Sequence, residues 1–251
     1  MTFDPQGLAT CARYSFAPNS LHYCGPEKQV DMHAYVSQGT VDKGLYEILN
    51  RFDTLYKYLE LIGIENNIGD PFDPRVVEAY WLGNDLLHKT KYQPMAKLLG
   101  DGLQLKKKLK PKQFNSTLSK LDHGVAHHTF HVLNIFRRTG HLPIAHTLDT
   151  MDECRISWGK VKKFTNYELP ITTEKKGFIK LQVEIIPLIY SHDRLDLGKQ
   201  EIREVLSVGL VPKVGEWVSV HWGYVCEVLG ARQVKNLEYY TKLAIRLANR
   251  T

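Results

Sequence analysis

The 251 residues contain no apolar run of membrane-spanning length, which argues against a bilayer-crossing helix. The opening MTFDPQGLATCARYSFA lacks the basic start and unbroken apolar stretch of a secretory signal, so a cytoplasmic setting is expected. Cysteine is sparse: there are four, none in a CxxC pair, which disfavours a disulfide framework, a redox dithiol and a zinc ribbon. In a reducing compartment Cys11, Cys24, Cys154 and Cys226 remain thiols. Also missing are the GxxxxGK[ST] phosphate loop, a strand–GxGxxG–helix unit, GxSxG and the glutamate of HExxH, so the common nucleotide-dependent, acyl-transfer and metalloprotease chemistries lose their signatures. No internal repeat or low-complexity segment occurs.

What is present has ordinary globular proportions. Hydrophobic residues make up 43% and charged residues 24%, and the chain is long enough to bury a core without staples. The net charge of +6 has its densest source in LKKKLKPK at 105–112, five lysines without an acid. A solvated helix end is the plainer reading of that run. No arginine and aromatic interleaving accompanies it, so nucleic acid is not an expected partner.

The first thirty residues, rich in Pro, Asn, Gly and aromatics, suggest an ordered loop. From Val41 to Ile62 apolar residues recur at three- and four-residue steps, predicting one amphipathic helix capped by Asp42 and stopped by Gly63. Further helices are expected from Asp73 to about Leu87, over 93–108 and 112–121, and from Val125 to Arg138. Beyond Cys154 the rhythm becomes extended in RISWGKVKKF, FIKLQVEIIPLIY, EIREVLSVGLV and EWVSVHWGYVCEVL. A last helix is expected from Ala231 to Asn249. The class is therefore α+β: a mostly helical N-terminal domain over 1–150, then a small OB-like β-barrel with a C-terminal helix over 151–251.

Five of the eleven histidines fall between residues 124 and 159. His123, His127 and His131 stand at i, i+4 and i+8, and Gly124 interrupts the phase, so His127 and His131 are the safer metal-binding pair. His128 would point about 100° aside. His141 and His146 could fold back towards the pair. Cys11 and Cys24, with His22 between them, could add thiolate ligands or be buried structural thiols.

The segment VPKVGEWVSVHWGYVCEVLGARQVKNLEYYTKL at 211–243 resembles the HypC-type hydrogenase-maturation chaperones, whose corresponding strand reads close to VGxWVLVHxGFA. CRISWGKV at 154–161 is similar to that family's opening Cys-x-x-x-Pro-Gly-x-Val, with Trp158 where the proline stands. The segment IPLIYSHDRLDLGKQ is expected to lengthen the barrel. The resemblance implies a β-barrel that holds or transfers an iron centre, with cyanide and carbonyl ligands in that family. Cys154 would be the thiolate ligand and His221 its companion. It implies as partners a maturation scaffold protein (HypD-like) and a hydrogenase large subunit, and a metallochaperone rather than a stand-alone enzyme. Two other readings stand beside it: a metal-dependent enzyme, with zinc as the alternative metal, built on His127 and His131; and a metal-free interaction adaptor steered by the basic run.

Overall fold

The computed structural model describes residues 3–121, 125–135, 145–165 and 178–250. His123, Gly124, Arg138 and His141 lie outside the described residues. Helices come first in the chain: α1 (Pro5–Ser20), α2 (Gln29–Gln38), α3 (Lys43–Leu49), α4 (Asp53–Glu65), α5 (Pro74–Trp81), α6 (Tyr92–Lys97), α7 (Leu105–Lys108), α8 (Pro111–Leu118), α9 (His128–Asn134) and α10 (Leu148–Cys154). Seven strands follow among the described residues: β1 (Ser157–Phe164), β2 (Phe178–Ile185), β3 (Leu188–Ser191), β4 (Arg194–Leu197), β5 (Glu201–Val208), β6 (Trp217–His221) and β7 (Tyr224–Leu229). The long α11 (Ala231–Ala248) ends the described chain.

The N-terminal segment is helical, not a loop. Asp4 caps α1 by accepting from the backbone N–H of Gln6 and Gly7 at 2.8 and 3.2 Å, and Pro5 occupies the first helical position, where no N–H is needed. From Cys11 to Asn19 only Arg13 is not fully buried, so α1 runs through the interior. A helix covered on nearly every side shows no polar stripe, which is why its periodicity is invisible in the sequence. The predicted 41–62 helix is instead two. Asp42 does cap α3, its side chain accepting from Leu45 N–H at 3.0 Å, but the chain breaks over 50–52 and Gly63 lies inside α4.

Five strands close into a barrel in the order β1-β2-β5-β7-β6, all pairs antiparallel except the parallel β5–β7. The period-two pattern explains what each face does. Val161, Leu181, Val183, Ile185, Val205, Val218, Val220 and Val225 fill the interior as a separate aliphatic core. The opposite face of β6 turns Ser219 and His221 towards the helices, where both are buried. The segment expected to lengthen the barrel forms the β3–β4 hairpin outside it. That hairpin is tied to the chain end by Asn249, whose side chain accepts from Leu195 N–H and donates to Leu195 O, both at 2.9 Å. A second hydrophobic core is continuous from α1 through α5 and α9 to Trp158, Cys226 and α11, so the helical part and the barrel's outer wall share one interior.

Candidate metal centre

Strand register brings the two ends of the barrel motif together. β1 and β6 run antiparallel with Ser157 opposite Val220, so Cys154, three residues before Ser157, comes close to His221, one residue after Val220. A two-residue turn then reverses the chain, with Trp222 at φ 50° and Gly223 at φ 73° between the paired His221 and Tyr224. Two positive φ values suit the right-handed twist of the hairpin, yet Trp222 is a bulky residue in a region that usually takes glycine. Its N–H donates to Glu153 O at 2.9 Å, and its ring lies against Tyr23 with centroids 4.8 Å apart. The turn is thereby fastened to α10 immediately before Cys154.

The end of α10 is held from below. Buried Asp152 accepts from Arg155 Nε at 2.8 Å, from Arg203 Nη2 at 2.6 Å and from Leu188 N–H at 2.8 Å. One carboxylate thus joins α10 to β5 and to the outer hairpin. Breaking such a buried charge network would leave an unpaired ion in the interior, a strongly destabilising outcome.

His128 enters from the helical side. His127 is the N-cap of α9, its Nδ1 accepting from Thr129 N–H at 3.2 Å, so helical phase begins only at His128. The expected i, i+4 partnership of His127 and His131 is therefore replaced by an i, i+3 relation between His128 and His131. Both of these line the same cavity, while His127 stacks on Tyr240 with ring centroids 5.3 Å apart. Burial pulls the His127 pKa down to about 3, which keeps that ring neutral.

His128, Cys154 and His221 present one ligand atom each, all within 4.8 Å of one another, a group that could hold a metal ion. They open on a cavity of about 70 Å³, which His131, His146 and Cys24 also line. Its other walls are mainly aromatic and aliphatic, among them Phe52, Leu55, Trp81 and Trp222. Of the remaining candidates, Cys11 is fully buried in α1 and burial raises its thiol to about 12. His131 takes Tyr58 as its partner, with phenol oxygen and Nδ1 3.1 Å apart.

The hydrogen bonds assign a tautomer to both ligand histidines, because a carbonyl only accepts and the nitrogen facing it must carry the proton. His221 donates from Nδ1 to Tyr14 O at 2.7 Å, leaving Nε2 as the nitrogen with a lone pair. Pro18 stands four residues after Tyr14 inside α1. It has no N–H to offer that carbonyl, so the helix itself supplies the acceptor that orients His221. His128 donates from Nε2 to Cys154 O at 2.8 Å, and its Nδ1 accepts from the Tyr80 hydroxyl at 3.1 Å. Burial, and then the neighbouring His221 ring, hold the His128 pKa well below its usual value. Two imidazoles beside a thiol are a donor set suited to a transition metal, and the Tyr80 hydroxyl already engages the His128 Nδ1 lone pair. Tyr14, Pro18 and Tyr80 have no sequence signal for these roles, since each acts through helix packing rather than through a motif.

The chain belongs to a family of unknown function (DUF6390), matched over residues 3–251. No curated protein and no solved structure matches it.

Proposed function

We propose that the protein is an accessory factor similar to the HypC-type hydrogenase-maturation chaperones, holding or transferring a transition-metal centre through Cys154 and His221. The observation that carries the reading is the meeting of Cys154, His221 and His128 within 4.8 Å at the seam between the helices and the barrel. The five-stranded barrel order, with its parallel β5–β7 closure, supports an OB-like assignment. In this reading the cargo is iron, for which a thiolate with two imidazoles is a suitable donor set. Cys154 ends a helix and has no free α-amine to offer; His128 supplies the additional nitrogen donor from the helical part. The partners would be a maturation scaffold protein and a hydrogenase large subunit.

Support for the alternative, a zinc enzyme on His127 and His131, is weaker because His127 does not line the cavity. No acidic residue lines it either, so a metal-bound water would lack a carboxylate base among the described residues.

The test is anaerobic purification of the full chain with elemental analysis and infrared spectroscopy. About one iron per chain is expected, with cyanide and carbonyl bands when partner proteins are co-expressed, and Cys154→Ser and His221→Ala should each abolish both. Iron-free protein with Cys154 intact would overturn the proposal.

A further inference from the structure

A divalent metal held by one thiolate and two neutral imidazoles carries a net charge of +1. The described residues around the cavity include no Asp, Glu, Lys or Arg, and its walls are chiefly apolar. An uncompensated charge in such surroundings is strongly disfavoured. A fourth, anionic donor would remove that cost and complete a tetrahedron.

Cys24 is the second thiol on the cavity wall. It sits in the turn between α1 and α2 and is half-buried. Its backbone is pinned: its N–H donates to Pro18 O at 3.2 Å, and buried Asn19 donates from Nδ2 to Cys24 O at 2.9 Å and to Pro26 O at 2.7 Å. The Cys24 sulfur is not among the atoms within 4.8 Å of one another. With the main chain fixed, rotation about the Cα–Cβ bond is the freedom left to the sulfur.

We infer that Cys24 is the fourth, exchangeable ligand of the His128, Cys154 and His221 centre, closing it as a neutral two-sulfur, two-nitrogen tetrahedron. The thiol loses its proton to solvent on binding and regains it when the metal leaves. The two cysteines then have unequal duties. Cys154 is set by the barrel register and the Asp152 network, and Cys24 comes and goes from a turn. This inference rests on the metal-binding reading above and concerns the bare divalent ion, before any cyanide or carbonyl is bound.

Anaerobic titration of the metal-free full chain with cobalt(II) tests it. The wild type should show tetrahedral ligand-field bands and a thiolate-to-cobalt charge-transfer band. Cys24→Ser should keep the tetrahedral bands, lose half of the charge-transfer intensity and bind at least tenfold more weakly, with unchanged far-ultraviolet circular dichroism. Cys24→Ala should behave like the serine variant, and Cys226→Ala, outside the cavity, should match the wild type. If Cys24→Ser binds with full charge-transfer intensity, the inference fails, and a spectral shift on adding azide would then identify a solvent-derived anion as the fourth ligand. If the wild type binds no cobalt, both the inference and the metal reading beneath it fall.

Discussion

The inside of the barrel and the seam outside it lie on opposite faces of the same strands, and they are built from different chemistry. Inside, eight Val, Leu and Ile side chains pack with no titratable group among them. Outside, the next residues along β6, Ser219 and His221, meet Tyr14, Trp81 and His128. The interior gains its stability from apolar area and shape. The seam also holds buried polar groups, and hydrogen bonds offset the cost of several of them, as between Ser219 and the Tyr14 hydroxyl, His221 and Tyr14 O, and His128 and Tyr80. Alternation along a single strand thus separates a structural duty from a chemical one, and substitutions on the two faces should fail in different ways.

The largest effect is expected inside. Leu181→Ala should cost about 2–5 kcal/mol of stability, measured by denaturant unfolding, while metal bound per folded chain stays constant. A loss of metal affinity at full folding would erase the distinction between the faces. Next comes Tyr14→Phe. The Tyr14 hydroxyl is 2.8 Å from Ser219 Oγ and donates to Glu227 Oε2 at 3.1 Å, so its removal should cost about 1–3 kcal/mol. Metal affinity should hold, because His221 bonds to the Tyr14 carbonyl, which phenylalanine retains.

Tyr80→Phe sharpens the comparison from the other side. The Tyr80 hydroxyl now occupies His128 Nδ1 and must yield when that nitrogen binds metal. Deleting it should tighten cobalt(II) binding roughly 2- to 10-fold, the worth of one net hydrogen bond of about 0.5–1.5 kcal/mol. Tyr58→Phe, which removes the comparable partner of His131, should leave affinity unchanged. Weaker binding in Tyr80→Phe would instead make the phenol a supporter of the bound state.

The smallest effect concerns Glu227, whose pKa burial raises above its ordinary 4.5. The folded state then holds its proton to higher pH than the unfolded chain, so this group lowers stability as pH rises from 4.5 through the folded value. Glu227→Gln should flatten that decline in a pH series of unfolding midpoints. A steeper decline would contradict the assigned direction.

α11 and strands such as β2 were legible because a drier face opposite a wetter one leaves a period of 3.6 or of two in the residues. β6, buried on both faces, keeps the period through its alternation of valines with Trp217, Ser219 and His221. α1 was not, since burial on nearly all sides removes the polar stripe that reveals a helix. Cys154 and His221 could be paired through the barrel motif, whereas His128 could not be preferred over His127. That choice depended on where α9 begins, and one residue of N-capping rotates the whole histidine set. Cys24, one of the thiols expected as a possible ligand, does line the cavity, whereas Tyr80 reaches it through tertiary packing, which carries no local pattern.

Pro18 has a consequence for how such a centre withstands mutational drift. The atom that orients His221 belongs to the main chain, so any residue that keeps α1 helical at position 14 presents the same oxygen. Alignment of the histidine is thereby insulated from side-chain change at the very position that touches it. The vulnerability moves four residues along, to position 18, where every amino acid other than proline would bring a competing hydrogen-bond donor.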